Sequence, residues 1–243
     1  MMIMNKEKNK NKNITYYTYT LNMTILNILA IILFILLGGL VYLLEYQDSY
    51  TINLSMTWLF ILMSIWLIIH ELLHGIGFAI FKEVKKENIT FGMYLEKGVF
   101  YCMCKQNITK KIILTSLLFP ITIIGFLTLI IGMIINNYEL VFLSILNIVS
   151  SIGDIVMTIY FLKCPNDIIY LDLDDCTSFT VLSHTSLDNI HIPGIILHQK
   201  GIFNKKKMIS KDKRKIVISK LSYLFLGIIL ILILITIIKK ITL

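Results

Sequence analysis

Charge is what this sequence has least of. Only 16% of its 243 residues are Asp, Glu, Lys or Arg, against 56% hydrophobic residues and a mean hydropathy of +0.78. Soluble globular domains carry about a quarter charged residues. That class is excluded, and a polytopic membrane protein is expected instead. Cysteine is scarce as well. Cys102, Cys104, Cys164 and Cys176 all fall in segments assigned below to the cytoplasm, which argues against a disulfide framework and leaves reduced thiols. The net charge of +8 comes from lysines dispersed beside hydrophobic runs. There is no aromatic-interleaved basic platform, so nucleic acid is not an expected partner. The basic N-terminus, MMIMNKEKNKNKN, leads into a long apolar run without a small-residue cleavage motif and reads as an uncleaved anchor. No internal repeat is apparent.

What is present is apolar sequence in long runs. Stretches of about 20 such residues mark membrane spans. Five are expected: Thr24 to Leu44, a run from near Asn53 to about Phe81, the stretch between Lys111 and Glu139, Leu140 to Leu162, and Leu221 to Ile238. Basic residues in short loops stay on the cytoplasmic side. Four lysines precede the first span, seven lie from Lys82 to Lys111, and nine basic residues lie from Lys163 to Ile216, whereas EYQDSYTI and NNYE carry none. The N-terminus is therefore expected in the cytoplasm and the C-terminus outside, in a prokaryotic plasma membrane.

The expected fold class is an all-α polytopic membrane protein with about five transmembrane helices and a small cytoplasmic β-hairpin. The hairpin is read in NITFGMYLEKGVFYCMC, where β-forming residues flank EKG. DIIYLDLDD alternates apolar and acidic residues as a half-exposed strand does. The chain divides into a cytoplasmic tail (1–23), a membrane-embedded core (24–182), a basic cytoplasmic loop (183–216) and a final transmembrane helix (217–243).

The chemistry sits in WLIIHELLHGIGF, Trp66 to Phe78. Ionisable groups at bilayer depth are costly and mark a functional site. His70 and His74 are four residues apart, so on a helix they share one face and reach one ion. Neutral imidazoles suit zinc, and Glu71 beside them can take a proton from an activated water. With five His and seven Glu in the chain, a chance H-E-x-x-H match is expected roughly 0.003 times. A catalytic zinc takes three protein ligands and keeps an open position. Asp154 is the one acid within the fourth span. At about 1.5 Å per residue, His70 lies roughly 25 Å and Asp154 roughly 21 Å from the outer ends of their spans, so the two share a depth. Asn147, two turns before Asp154 on the same face, offers an amide to a substrate backbone or an oxyanion; helix-packing glue is an equal reading.

HELLHG, the hairpin segment, LLFP at Leu117 to Pro120 and NIVSSIGDI resemble, in that order, the membrane zincin peptidases long catalogued as a domain of unknown function, over about Ile68 to Leu182. More distantly the chain is similar to the site-2 protease group. The resemblance implies a Zn2+ held by His70, His74 and Asp154, with Glu71 as general base and a membrane-protein or peptide substrate cleaved near the cytoplasmic face. Site-2 proteases carry a glycine after the aspartate; here Ile155 follows Asp154. Two other classes stand beside peptide hydrolysis. A metal-ion or proton-coupled transporter could use the same groups, though five spans without repeats and a glutamate next to the first histidine fit it poorly. A non-catalytic regulator could keep a structural zinc. His184, His191 and His198 are spaced by seven, but Pro193 and Gly194 break any helix that would align them.

Overall fold

The computed structural model describes residues 14–44, 56–94, 99–173 and 177–203. The fifth expected span, Leu221 to Ile238, and Cys176 lie outside them. Within them the fold class is not all-α. Helices alternate with two antiparallel sheets, one of five strands and one of two.

Strand β1 (Thr15–Leu21) leads directly into α1 (Met23–Leu44), and α2 (Met56–Ala79) is followed by the hairpin β2 (Ile89–Tyr94) and β3 (Val99–Cys104). A short β4 (Ile108–Thr109) opens α3 (Lys110–Pro120). That helix continues through a π-helical stretch, Ile121–Leu127, into α4 (Thr128–Ile134). Next come α5 (Tyr138–Ser150) and α6 (Ile152–Lys163), then β5 (Ile169–Asp172), β6 (Ser178–Ser183) and β7 (Ile195–Ile202). Three helical segments are long and apolar enough to cross a membrane: Met23–Leu43, Phe60–Ala79 and Lys110–Ile134. The α5–α6 pair makes a fourth if its two members, bent by 53° at the junction, count as one span.

That bend corrects the expectation of an uninterrupted fourth helix. The hydroxyls of Ser150 and Ser151 both donate to the Asn147 carbonyl, at 2.9 and 2.7 Å, and serine back-bonding of this kind bends helices. The π-helical stretch follows Pro120, which has no N–H to continue the ladder. Carbonyls around it are served by side chains instead. Thr122 Oγ1 donates to Leu118 and Phe119, Thr128 Oγ1 to Ile124 and Gly125, and Trp66 Nε1 to Ile124.

The larger sheet has the order β4-β5-β6-β1-β7. Its interior strand β1, between β6 and β7, comes from the segment read as a cytoplasmic tail, and its last strand from the segment read as a basic loop. In TYYTYTL, threonines alternate with tyrosines, so one face of β1 carries Tyr17 and Tyr19, both buried. The pairing with β6 sets Thr18 opposite Thr180 and Thr20 opposite Ser178, and each pair joins hydroxyls at 3.1 Å. The apolar face packs on the end of α6. Phe179 of β6 meets Tyr19, Tyr160, Phe161 and Tyr170 at centroid separations of 5.5 to 5.8 Å, within the range of favourable aromatic pairs. The sheet thereby grips the helix whose first turn carries Asp154. The starts of α1 and α3 and the ends of α2 and α6 all adjoin strands, so the sheets gather at one end of the helical layer.

Phe179→Ala should cost about 3–5 kcal/mol, as for other buried aromatic truncations. Denaturant unfolding of the detergent-solubilised protein reads it; an unchanged midpoint would show that the ring cluster does not hold the sheet to α6.

Candidate metal centre

Four helices and one strand bring the site together. His70 and His74 project from the same face of α2 and are both buried, 5% and 7% exposed. Their Nε2 atoms stand 3.0 Å apart. Asp154 Oδ2 completes the triangle, 3.1 Å from His70 Nε2 and 3.4 Å from His74 Nε2. Glu71 lies alongside: a carboxylate oxygen and a ring nitrogen of each histidine fall within 4.8 Å of one another. The backbone N–H of Cys102, on β3, donates to that carboxylate.

The outward nitrogens are engaged as well. His70 Nδ1 donates to Asn147 Oδ1 at 3.1 Å, and His74 Nδ1 donates to the backbone carbonyl of Ser116 at 2.9 Å. A carbonyl oxygen can only accept, so His74 carries a proton on Nδ1, and in the neutral ring that a metal requires the Nε2 lone pair faces inward. Two inward lone pairs and a carboxylate oxygen 3.0 to 3.4 Å apart repel one another unless something positive lies between them. Donors about 2.0–2.1 Å from one tetrahedral zinc stand about 3.3 Å from each other. The donor set and its spacing therefore fit zinc, with both imidazoles oriented from behind as metal-bound histidines are.

Close backbone approach makes the arrangement possible. A Cβ on Gly77 would lie 2.7 Å from the Ser116 Cα, and one on Gly75 would lie 2.3 Å from Phe91 Cζ. The first glycine lets α3 reach α2 one turn beyond His74; the second lets the hairpin settle over the same turn. The Ser116 hydroxyl returns a bond to the His74 carbonyl at 3.0 Å.

All five residues singled out in the sequence, His70, Glu71, His74, Asn147 and Asp154, meet here. Asn147 touches the Nδ1 side of His70 and Asp154 the Nε2 side. The seven-residue spacing thus puts the two residues on one ring despite the intervening bend. Among the described residues no comparable group of His, Cys, Asp or Glu forms around His184, His191 or His198. Cys102, Cys104 and Cys164 are free. Burial pushes the Cys102 and Cys104 thiols up, so they stay protonated and are poor metal ligands.

Sequence reasoning did not find the Ser116 carbonyl, the Cys102 N–H or Asp172. Asp172 Oδ2 accepts the Cys104 N–H at 3.0 Å and Oδ1 accepts the Tyr170 hydroxyl, tying β5 to the hairpin beside Glu71. Burial raises its pKa from 3.8 to about 6. The folded state therefore holds the proton more tightly than the unfolded chain does. The stabilisation is complete below about pH 4 and is lost as pH rises through 6. Asp172→Asn, uncharged throughout, should flatten this slope. Unfolding midpoints measured between pH 4 and 7 check it, and equal slopes in both proteins would refute the assignment.

No curated protein and no solved structure matches the chain. Residues 63–169, which contain all the side chains of this cluster, match the family model described as "Putative zincin peptidase".

Proposed function

We propose that this protein is an integral-membrane zinc metalloendopeptidase that hydrolyses peptide bonds of membrane or membrane-adjacent substrates near the cytoplasmic face. One observation carries the reading. His70, His74 and Asp154 converge beside Glu71 on helices apolar enough to span a bilayer. The match to a zincin peptidase family supports the chemistry. The distribution of basic residues supports the side: the strands belong to segments rich in lysine, and the opposite connections carry none.

His70, His74 and Asp154 would hold the ion. A bound zinc supplies the Lewis acidity that makes water a nucleophile near neutral pH and polarises the scissile carbonyl. The remaining steps belong to the chain. Glu71, steadied by the Cys102 N–H, accepts the proton of the attacking water and delivers it to the leaving amine. Asn147 is held by its Oδ1 on His70. Its Nδ2 is buried without a partner among the described residues and is available to a substrate carbonyl or the developing oxyanion. The substrate must present an extended backbone. The two-stranded hairpin beside Glu71 offers an edge for it. A photocrosslinker in place of Phe91, which is exposed and lies over Gly75, should capture a trapped substrate, and absence of any adduct would count against this route.

Glu71→Gln should leave zinc bound and lower peptide hydrolysis by about 10²–10⁴-fold, the usual contribution of a positioned base. Metal analysis and cleavage of a reporter membrane protein check both halves; hydrolysis at the wild-type rate would remove Glu71 from the mechanism. Asp154→Ala should lower the zinc affinity. An unchanged dissociation constant in a chelator competition would exclude Asp154 as a ligand.

A further inference from the structure

The Ser116 carbonyl that receives the His74 proton is one that an ordinary helix would not have to spare. In an α-helix the carbonyl of residue i accepts the N–H of residue i+4. For Ser116 that residue is Pro120, which has no N–H. The next donor along the chain, the N–H of Ile121, goes to Leu118. Neither of the following donors therefore claims Ser116 O, and it accepts His74 Nδ1–H at 2.9 Å instead. The contact is buried: Ser116 is 1% exposed and His74 7%. Gly77 allows the approach, because a Cβ there would strike the Ser116 Cα.

We infer that Pro120 is a positioning residue for the metal centre: by withholding its donor it frees the Ser116 carbonyl to fix His74 as the Nδ1–H tautomer, with the Nε2 lone pair turned to the ion. Pro120 supplies no donor atom to the ion. It acts through one carbonyl and one ring. A buried helix carbonyl that has lost its donor is costly unless another group supplies one. Here the imidazole is that group. The same vacancy orients the ligand and satisfies the helix.

The role of His74 as a zinc ligand rests on the proposed metallopeptidase; its tautomer does not. Both are therefore measured, on the full-length protein. Pro120→Ala restores an N–H four residues after Ser116 that competes for the carbonyl. In the zinc-free protein, the ¹⁵N shifts of the His74 ring should report a loss of the Nδ1–H tautomer. In zinc titrations, affinity should fall about 10–100-fold, as when other orienting partners of a metal-bound histidine are removed. Pro120→lactate, introduced as the α-hydroxy acid, replaces the amide by an ester with neither ring nor N–H. It should keep the wild-type tautomer and zinc affinity.

A Pro120→Ala protein with wild-type tautomer overturns the inference. So does a Pro120→lactate protein that loses the tautomer, since the ring and not the missing donor would then be responsible. If Pro120→Ala fails to fold, the lactate variant still puts the inference at risk, because loss of the tautomer there overturns it. Failure of the wild-type chain to bind zinc would remove the metallopeptidase reading while leaving the tautomer result standing.

Discussion

A neutral imidazole presents a lone pair to a metal only if its other nitrogen has somewhere to place a proton. In water that requirement is trivial. Among apolar helices it governs the design of the site, because every donor must find an acceptor within the protein. His70 uses a side-chain amide on α5 and His74 a backbone carbonyl on α3. Each acceptor lies on a different helix from its ligand, so the ligand helix α2 is fixed on both sides by the bonds that select its tautomers.

The same accounting explains the irregularities elsewhere in the helical layer. Where Pro120 interrupts the ladder, threonine hydroxyls and the Trp66 indole take up carbonyls on either side of it. Where Ser150 and Ser151 turn their hydroxyls onto the Asn147 carbonyl, the helix bends and a new one begins. The bend is useful. It leaves Asn147 near the end of one helix and Asp154 in the first turn of the next, so that one imidazole is contacted on both of its nitrogens.

Much of the site was legible in the sequence because its chemistry is carried by rare residues in an apolar setting. Two histidines at helical spacing and one aspartate at matching depth stand out where nearly everything else is Ile or Leu. The hairpin was legible too, since its strands are neighbours in the chain. The five-stranded sheet was not. Strand β1 pairs Thr15 with Ser183 and Ile202, and nothing local in a seven-residue segment reveals a partner so distant. The Thr/Tyr alternation of β1 was the available signal, overshadowed by the lysine-rich residues before it. The Ser116 carbonyl was invisible for another reason. Every residue has a carbonyl, and only the proline four positions later distinguishes this one.

The sheet's topology has a consequence for assembly. β1 is made first among the described elements, yet both its neighbours, β6 and β7, come after every described helix. Its hydrogen-bonding edges stay open until residues 178–202 are synthesised and delivered to the same side as residue 15. Closure of the sheet therefore waits for the last described strands, and only with it is α6, and with it Asp154, held by the ring of Phe179.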